Sequence, residues 1–158
     1  MHDDRADLTI SRFIKAPPAR VWEAWTQREH FERWWIPEPI ECRAIKLDLR
    51  PGGGFETRMR QPGGDFEPHV AGCFLDIVPE ERLVFSTALT EDWRPGTPWL
   101  ALTAVITMAA RDGGTLYAAR VLHRTPEEAR KHDDMGFHDG WGTALAQLAR
   151  LVEARGEA

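Results

Sequence analysis

The sequence is poor in the residues from which nucleophilic and disulfide-stabilised sites are built. Its 158 residues include two cysteines, Cys42 and Cys73, two serines and one tyrosine. Both cysteines lie in strand-like segments, which predicts reduced, half-buried thiols rather than a disulfide framework. Neither serine lies in a G-x-S-x-G turn, so the pattern disfavours a serine or cysteine triad.

Long apolar runs and an excess of positive charge are also missing. No run reaches the ~18 apolar residues of a membrane-spanning helix, so no membrane association is predicted. The net charge is −5, which gives a nucleic acid little electrostatic attraction, and no nucleic-acid partner is expected. The acidic start MHDDRADL does not have the pattern of a secretory signal peptide, so we expect a cytoplasmic protein.

The histidines and glycines do not form a recognised metal or phosphate motif. H-E-x-x-H is absent, and His132 and His138 are separated by about 120° around a helix. A metal site of His123, His138 and Asp134 is the one geometric alternative, but we predict no metal and no cofactor. The turn RPGGGFE lacks the lysine and hydroxyl residue of a phosphate loop and leads into a strand, so it indicates a hairpin.

Periodicity predicts the order strand, two short helices, six antiparallel strands and a long helix, within one domain whose core covers about residues 8–152. Prolines after the first strand open the first helix, and Thr26 with Glu29 predicts a capping box for the second. Glycine-rich turns separate alternating strands. Pro68 and Gly72 predict an edge position or a bulge in the fourth strand.

The last helix contains an unusual stretch, MGFHDGWGTAL, with three glycines that weaken a helix by roughly 1 kcal/mol each relative to alanine. Thr125 is a predicted N-cap with Pro126 in the first turn. We expect a break near Gly136, with Gly140 on the back of the helix. The predicted buried stripe comprises Asp134, His138, Trp141, Leu145, Leu148 and Val152.

A cavity follows from this architecture. Seven strands must twist and curl, and one helix laid across them cannot fill the concave face. Seven tryptophans supply more ring surface than a core of this size requires. We predict that the cavity is lined by ligand-binding residues, with Trp93 as a mobile lid: His138, Trp141, Gly142, Trp35, Trp93, Trp99, His69, Tyr117 and His123.

Five segments in this order resemble one known family: ISRFIKAPPARVWEAWT, HFERWW, DLRPGGGFETRM, IVPEERLVF and GWGTALAQLARLV. Together they are similar to bacterial START-like (SRPBCC) proteins related to the activator of the heat-shock-protein-ninety ATPase, in its C-terminal domain. The resemblance implies an α+β helix-grip fold, with a curved antiparallel sheet of about seven strands around a long C-terminal helix and two short helices after the first strand.

The resemblance also implies a deep hydrophobic cavity. Our first hypothesis is therefore the binding of a small hydrophobic or aromatic molecule between sheet and helix. One alternative is a cyclase- or hydrolase-type enzyme that uses polar groups of the cavity. Another is a stress-related helper of a chaperone ATPase. Homodimerisation through an exposed edge strand is a further expectation.

Overall fold

The computed structural model describes residues 4–156 and contains one large antiparallel sheet. The strands are β1 Asp7–Ile14, β2 Glu41–Leu47, β3 Gly54–Arg60, β4 Phe66–Val78, β5 Arg82–Ser86, β6 Leu89–Thr90, β7 Arg94–Pro95, β8 Leu102–Arg111 and β9 Gly114–His123. Seven of them pair in the order β1-β9-β8-β5-β4-β3-β2, whereas β6 and β7 form a separate two-stranded ribbon.

The helices are α1 Pro18–Thr26, α2 Arg28–Phe31, α3 Pro126–Asp134 and α4 Phe137–Gly156. The two short helices follow the first strand, and the C-terminal helical segment packs against β1 and α1. This is the helix-grip fold, and the predicted order of elements is confirmed. Within residues 4–156, no helix combines the length and the apolar character needed to cross a membrane.

The proposed capping box of α2 is wrong. Thr26 is the last residue of α1, and its hydroxyl donates a hydrogen bond to the Trp22 carbonyl at 2.9 Å. Gln27 is the N-cap of α2 and makes no side-chain capping bond. A threonine hydroxyl that bonds to its own preceding turn is not available to cap the next helix.

The irregularity expected in the fourth strand is a bulge rather than an edge. β4 lies between β3 and β5, but its register with β3 shifts between Thr57 and Arg58. Thr57 pairs with Val70 and Arg58 pairs with Pro68, so His69 is the extra residue. A bulge redirects side chains at the place where it occurs, which here concerns a histidine.

The C-terminal helical segment breaks at Gly136, as predicted. Thr125 caps α3 by accepting a hydrogen bond from the Glu128 backbone N–H at 3.2 Å. Gly136 has a φ of 99°, in the region that favours glycine, and it separates α3 from α4. The chain therefore changes direction before α4 crosses the sheet.

The predicted place of His138 is wrong because the predicted stripe lies too far to one side of the helix. α4 begins at Phe137, which is buried and takes the inward position, and His138 lies about 100° from it around the helix. The His138 side chain is 57% exposed, and its Nε2 lies 3.8 Å from the Asp133 carboxylate. Asp134, the other polar residue of the predicted stripe, is exposed as well.

Substitutions at two glycines should have opposite effects on stability. Gly136→Ala should lower the free energy of unfolding by about 1 kcal/mol, because alanine disfavours a positive φ. Gly140→Ala should raise it by roughly 0.5–1 kcal/mol, because Gly140 lies within α4 and a Cβ there meets no atom within 4 Å. Urea denaturation of both variants tests this pair, and equal effects would contradict the account.

Candidate functional site

A cavity of about 230 Å³ lies between the sheet and the first half of α4. Its walls come from five strands, from α4 and from the segment after α2. Among the residues from 4 to 156 that line it, none is an aspartate, glutamate, lysine or arginine. Large apolar side chains form most of the wall: Trp34, Trp35, Phe85, Leu102, Trp141 and Leu145. Such a surface favours an uncharged, largely apolar ligand.

Aromatic rings form a continuous layer next to the cavity. The Trp25 ring is 5.3 Å from Trp35 between centroids, and Trp35 is 6.0 Å from Trp141 on α4. Phe31 is stacked on Trp35 at 5.3 Å, and Phe85 is 5.9 Å from the same ring. Rings at these spacings attract one another beyond the area they bury. The layer therefore joins α1, α2, the sheet and α4.

Two of the buried indole N–H groups hold this layer in place. Trp25 Nε1 donates to the Tyr117 hydroxyl oxygen at 3.0 Å, and Trp34 Nε1 donates to the Ala24 carbonyl at 2.9 Å. Trp35 Nε1 is buried and has no hydrogen-bond partner within the part of the chain that the structure describes. A buried donor without a partner costs about 1–3 kcal/mol.

Gln147 connects α4 to the segment that carries Trp34 and Trp35. Its amide nitrogen donates to the carbonyls of Trp34 and Ile36 at 3.1 and 3.0 Å, and its amide oxygen accepts from the Glu38 N–H at 2.8 Å. Sequence reasoning missed this residue. The sequence did contain a sign of it: Gln147 is an amide among the aliphatic residues of AQLARLV, on the face of the helix that periodicity predicts to be buried.

The cavity wall contains two polar groups from the predicted set, His69 and Tyr117. His69 Nδ1 lies 3.0 Å from the hydroxyl of Thr57, which also accepts a hydrogen bond from the Val70 N–H at 3.2 Å. Burial lowers the pKa of His69, which keeps this ring neutral near pH 7. Burial raises the pKa of Tyr117, and the bond from Trp25 partly opposes that rise.

Four of the predicted site residues line the cavity together: Trp35, Trp141, His69 and Tyr117. Gly140 also lines it, which corrects its expected place on the back of the helix. The helical wheel put Gly140 on the back of the helix because the predicted buried stripe included His138. The observed stripe includes Phe137 and Ala144 but not His138, so it lies closer to Gly140 around the helix.

The other tryptophan and glycine candidates lie elsewhere. Gly142 packs on β1, where a Cβ would lie 3.4 Å from Cδ1 of Ile10. Trp93 is half exposed, and its indole covers the turn at Gly52 rather than the cavity. Trp99 precedes β8 and is 71% exposed. The structure therefore does not place Trp93 as a lid over the cavity.

His123 is buried next to α3, and both of its ring nitrogens have partners within the protein. Its Nδ1 is 2.9 Å from the Ala6 carbonyl, and its Nε2 is 2.8 Å from His132 Nδ1. Burial, followed by the proximity of His123, lowers the pKa of His132 to about 4. His138 lies next to Asp133, so it does not meet His123 in the alternative metal site. Within residues 4–156, no group of three histidine, cysteine, aspartate or glutamate side chains could hold a metal ion.

Comparison with known proteins gives the same fold and a family. The family profile described as "Activator of Hsp90 ATPase homolog 1-like protein" matches residues 15–153. The chain belongs to this family. No protein of curated function shows significant similarity to it.

Solved structures with this fold come from several bacteria. Protein NE0264 from Nitrosomonas europaea is 38% identical with a TM-score of 0.88, and the match covers 99% of this chain and 100% of that one. Protein Ms6760 from Mycobacterium smegmatis is 27% identical with a TM-score of 0.77, covering 96% and 93% of the two chains. The helix-grip architecture thus extends over the length of both relatives.

Gln147→Leu should destabilise the protein by about 2–4 kcal/mol, because a similar-sized apolar side chain leaves two buried carbonyls and one partly buried N–H without partners. The tryptophan fluorescence should change as well, since Trp34 and Trp35 lose their attachment to α4. Thr143→Leu, at an exposed position of the same helix, is the matched control. Equal stability of the two variants in urea would show that Gln147 does not hold the segment.

Proposed function

We propose that the protein binds a small hydrophobic or aromatic molecule in the cavity between the sheet and α4. The observation that carries the proposal is a cavity lined by Trp34, Trp35 and Trp141, to whose wall residues 4–156 contribute no aspartate, glutamate, lysine or arginine. Aromatic walls with a few polar groups are typical of small-molecule sites. The START-like resemblance supports the same function.

The volume favours a ligand of about one ring. The cavity holds about 230 Å³, more than the ~150 Å³ engineered cavity that accepts benzene. It is smaller than the ~300–1,000 Å³ pockets that enclose drug-sized molecules. We therefore propose a substituted single ring or a short branched chain as the occupant.

Gly140 offers a way to test where the ligand binds. It lies within a helix, where glycine is unfavourable, and neither a positive φ nor a close neighbour requires it. It borders the cavity, and a side chain here would extend into open space. A large side chain at this position should narrow the cavity without displacing any atom of the core.

Two other functions stay as alternatives. The enzymatic alternative would use His69 and Tyr117 on a bound substrate, and hydrogen bonding to a ligand already accounts for both groups. The family description names activation of the Hsp90 ATPase, so a chaperone-related role is the second proposal. It would be tested by co-precipitation of the chaperone with the purified chain.

Native mass spectrometry of gently purified protein tests the binding function. We expect a discrete extra mass that disappears on denaturation, in the wild type and in Gly140→Ala. Gly140→Phe should fold with the wild-type circular dichroism and lose the extra mass, because its ring occupies the ligand space. An extra mass retained in folded Gly140→Phe would contradict binding at this cavity.

A further inference from the structure

We infer that the ligand is an uncharged molecule with a hydrogen-bond-accepting oxygen, such as a carbonyl, that takes its hydrogen bonds from Tyr117 and His69. This inference rests on the proposed function, since it describes the chemistry of the same cavity. It follows from comparing the hydrogen bonds that each polar side chain of the wall already makes with those that it could still make.

The Tyr117 hydroxyl is free to donate. Its oxygen accepts the indole N–H of Trp25 at 3.0 Å, and this is its one hydrogen bond within the part of the chain that the structure describes. A tyrosine hydroxyl carries one proton of its own, which here has no acceptor. Because the side chain is 3% exposed and lines the cavity, a ligand is the natural partner for that proton.

His69 is arranged to present a second N–H. The Thr57 hydroxyl accepts from the Val70 N–H, and its own buried proton needs an acceptor, which is His69 Nδ1 at 3.0 Å. This assigns the neutral tautomer of His69 with its proton on Nε2. The Nε2–H has no partner among residues 4–156, and the ring borders the cavity.

The remaining polar groups of the wall add no acceptor. The Thr87 hydroxyl donates to the Leu100 carbonyl at 3.0 Å and accepts from the Leu102 N–H at 3.0 Å, so its hydrogen bonding is satisfied. Trp35 Nε1 is a donor and not an acceptor, and it is buried. Among residues 4–156, the side chains of this wall therefore offer two unpartnered donors, on Tyr117 and His69, and no formal charge.

This imbalance discriminates among ligands of the same size. A carbonyl oxygen has two lone pairs, one for each of the donors on Tyr117 and His69, and contributes no proton that would itself need an acceptor. A carboxylate would bring an unpaired charge into an uncharged site, which is strongly unfavourable. A hydrocarbon of the same shape would leave the two donors unpaired. A ketone of about one ring therefore fits best.

The test compares three probes of nearly equal shape by titration of the tryptophan indole N–H signals in NMR spectra. Acetophenone has the carbonyl, α-methylstyrene replaces that oxygen with a CH₂ group, and benzoate carries a negative charge. We expect acetophenone to bind about tenfold more tightly than α-methylstyrene. Benzoate should bind more weakly than either at pH 7.5.

Two variants locate the preference. In Tyr117→Phe, and likewise in His69→Leu, the affinity for acetophenone divided by the affinity for α-methylstyrene should fall about threefold or more. Using the ratio within one variant cancels any general loss of stability. His138→Leu is the matched histidine control, because its side chain is exposed and lies outside the cavity. It should retain the wild-type ratio.

The outcomes separate this inference from the proposed function. Equal binding of acetophenone and α-methylstyrene would overturn the acceptor requirement and leave hydrophobic binding standing. Tighter binding of benzoate would overturn the requirement for an uncharged ligand. Failure of all three probes to bind would count against the proposed function itself, and this inference would fall with it. A wild-type ratio in both cavity variants would reject His69 and Tyr117 as the donors.

Discussion

The rigid aromatic layer under α4 is the constraint on which the rest of this structure depends. Indole and phenyl rings have few rotamers, so they fill space without adapting to every gap around them. Trp25 is fully buried, and its bond to Tyr117 fixes the layer to β9. A single helix over a curved sheet leaves space beside this layer, and the rings cannot collapse into it. The cavity is therefore a consequence of the same packing that stabilises the fold.

Three local features turn that space into a candidate site. The bulge in β4 places His69 at the cavity wall, where a regular strand would have paired it with β3. Gln147 fastens the segment with Trp34 and Trp35 to α4. The break at Gly136 lets α4 begin with Phe137 inward, so that Trp141 reaches the ring of Trp35. Each feature acts through hydrogen bonds or backbone geometry rather than through added apolar area.

The order of elements was predictable because it depends on local signals. Proline at the start of α1, the Thr125 cap and the glycine-rich turns each act within a few residues. The break at Gly136 was predictable for the same reason. The helical wheel nevertheless included His138 in the buried stripe and left out Phe137, and Gly140 was misplaced by the same error.

The site itself was only partly predictable. Composition indicated that tryptophans would surround a cavity, and Trp35 and Trp141 do line it. The choice among seven tryptophans depends on contacts between distant segments, which is why Trp93 and Trp99 were included although they lie outside. Gln147 escaped notice because its partners are more than a hundred residues away in sequence. Periodicity reports which face is buried, but it does not report what that face contacts.

A crystal of the protein under xenon pressure tests the central claim most directly, because xenon enters dry apolar cavities that are large enough to hold it. The account predicts an anomalous peak between Phe85, Trp141 and Leu145, with little movement of the surrounding rings. A space occupied by rearranged side chains, with no xenon between the sheet and α4, would contradict the claim that the aromatic layer keeps this cavity open.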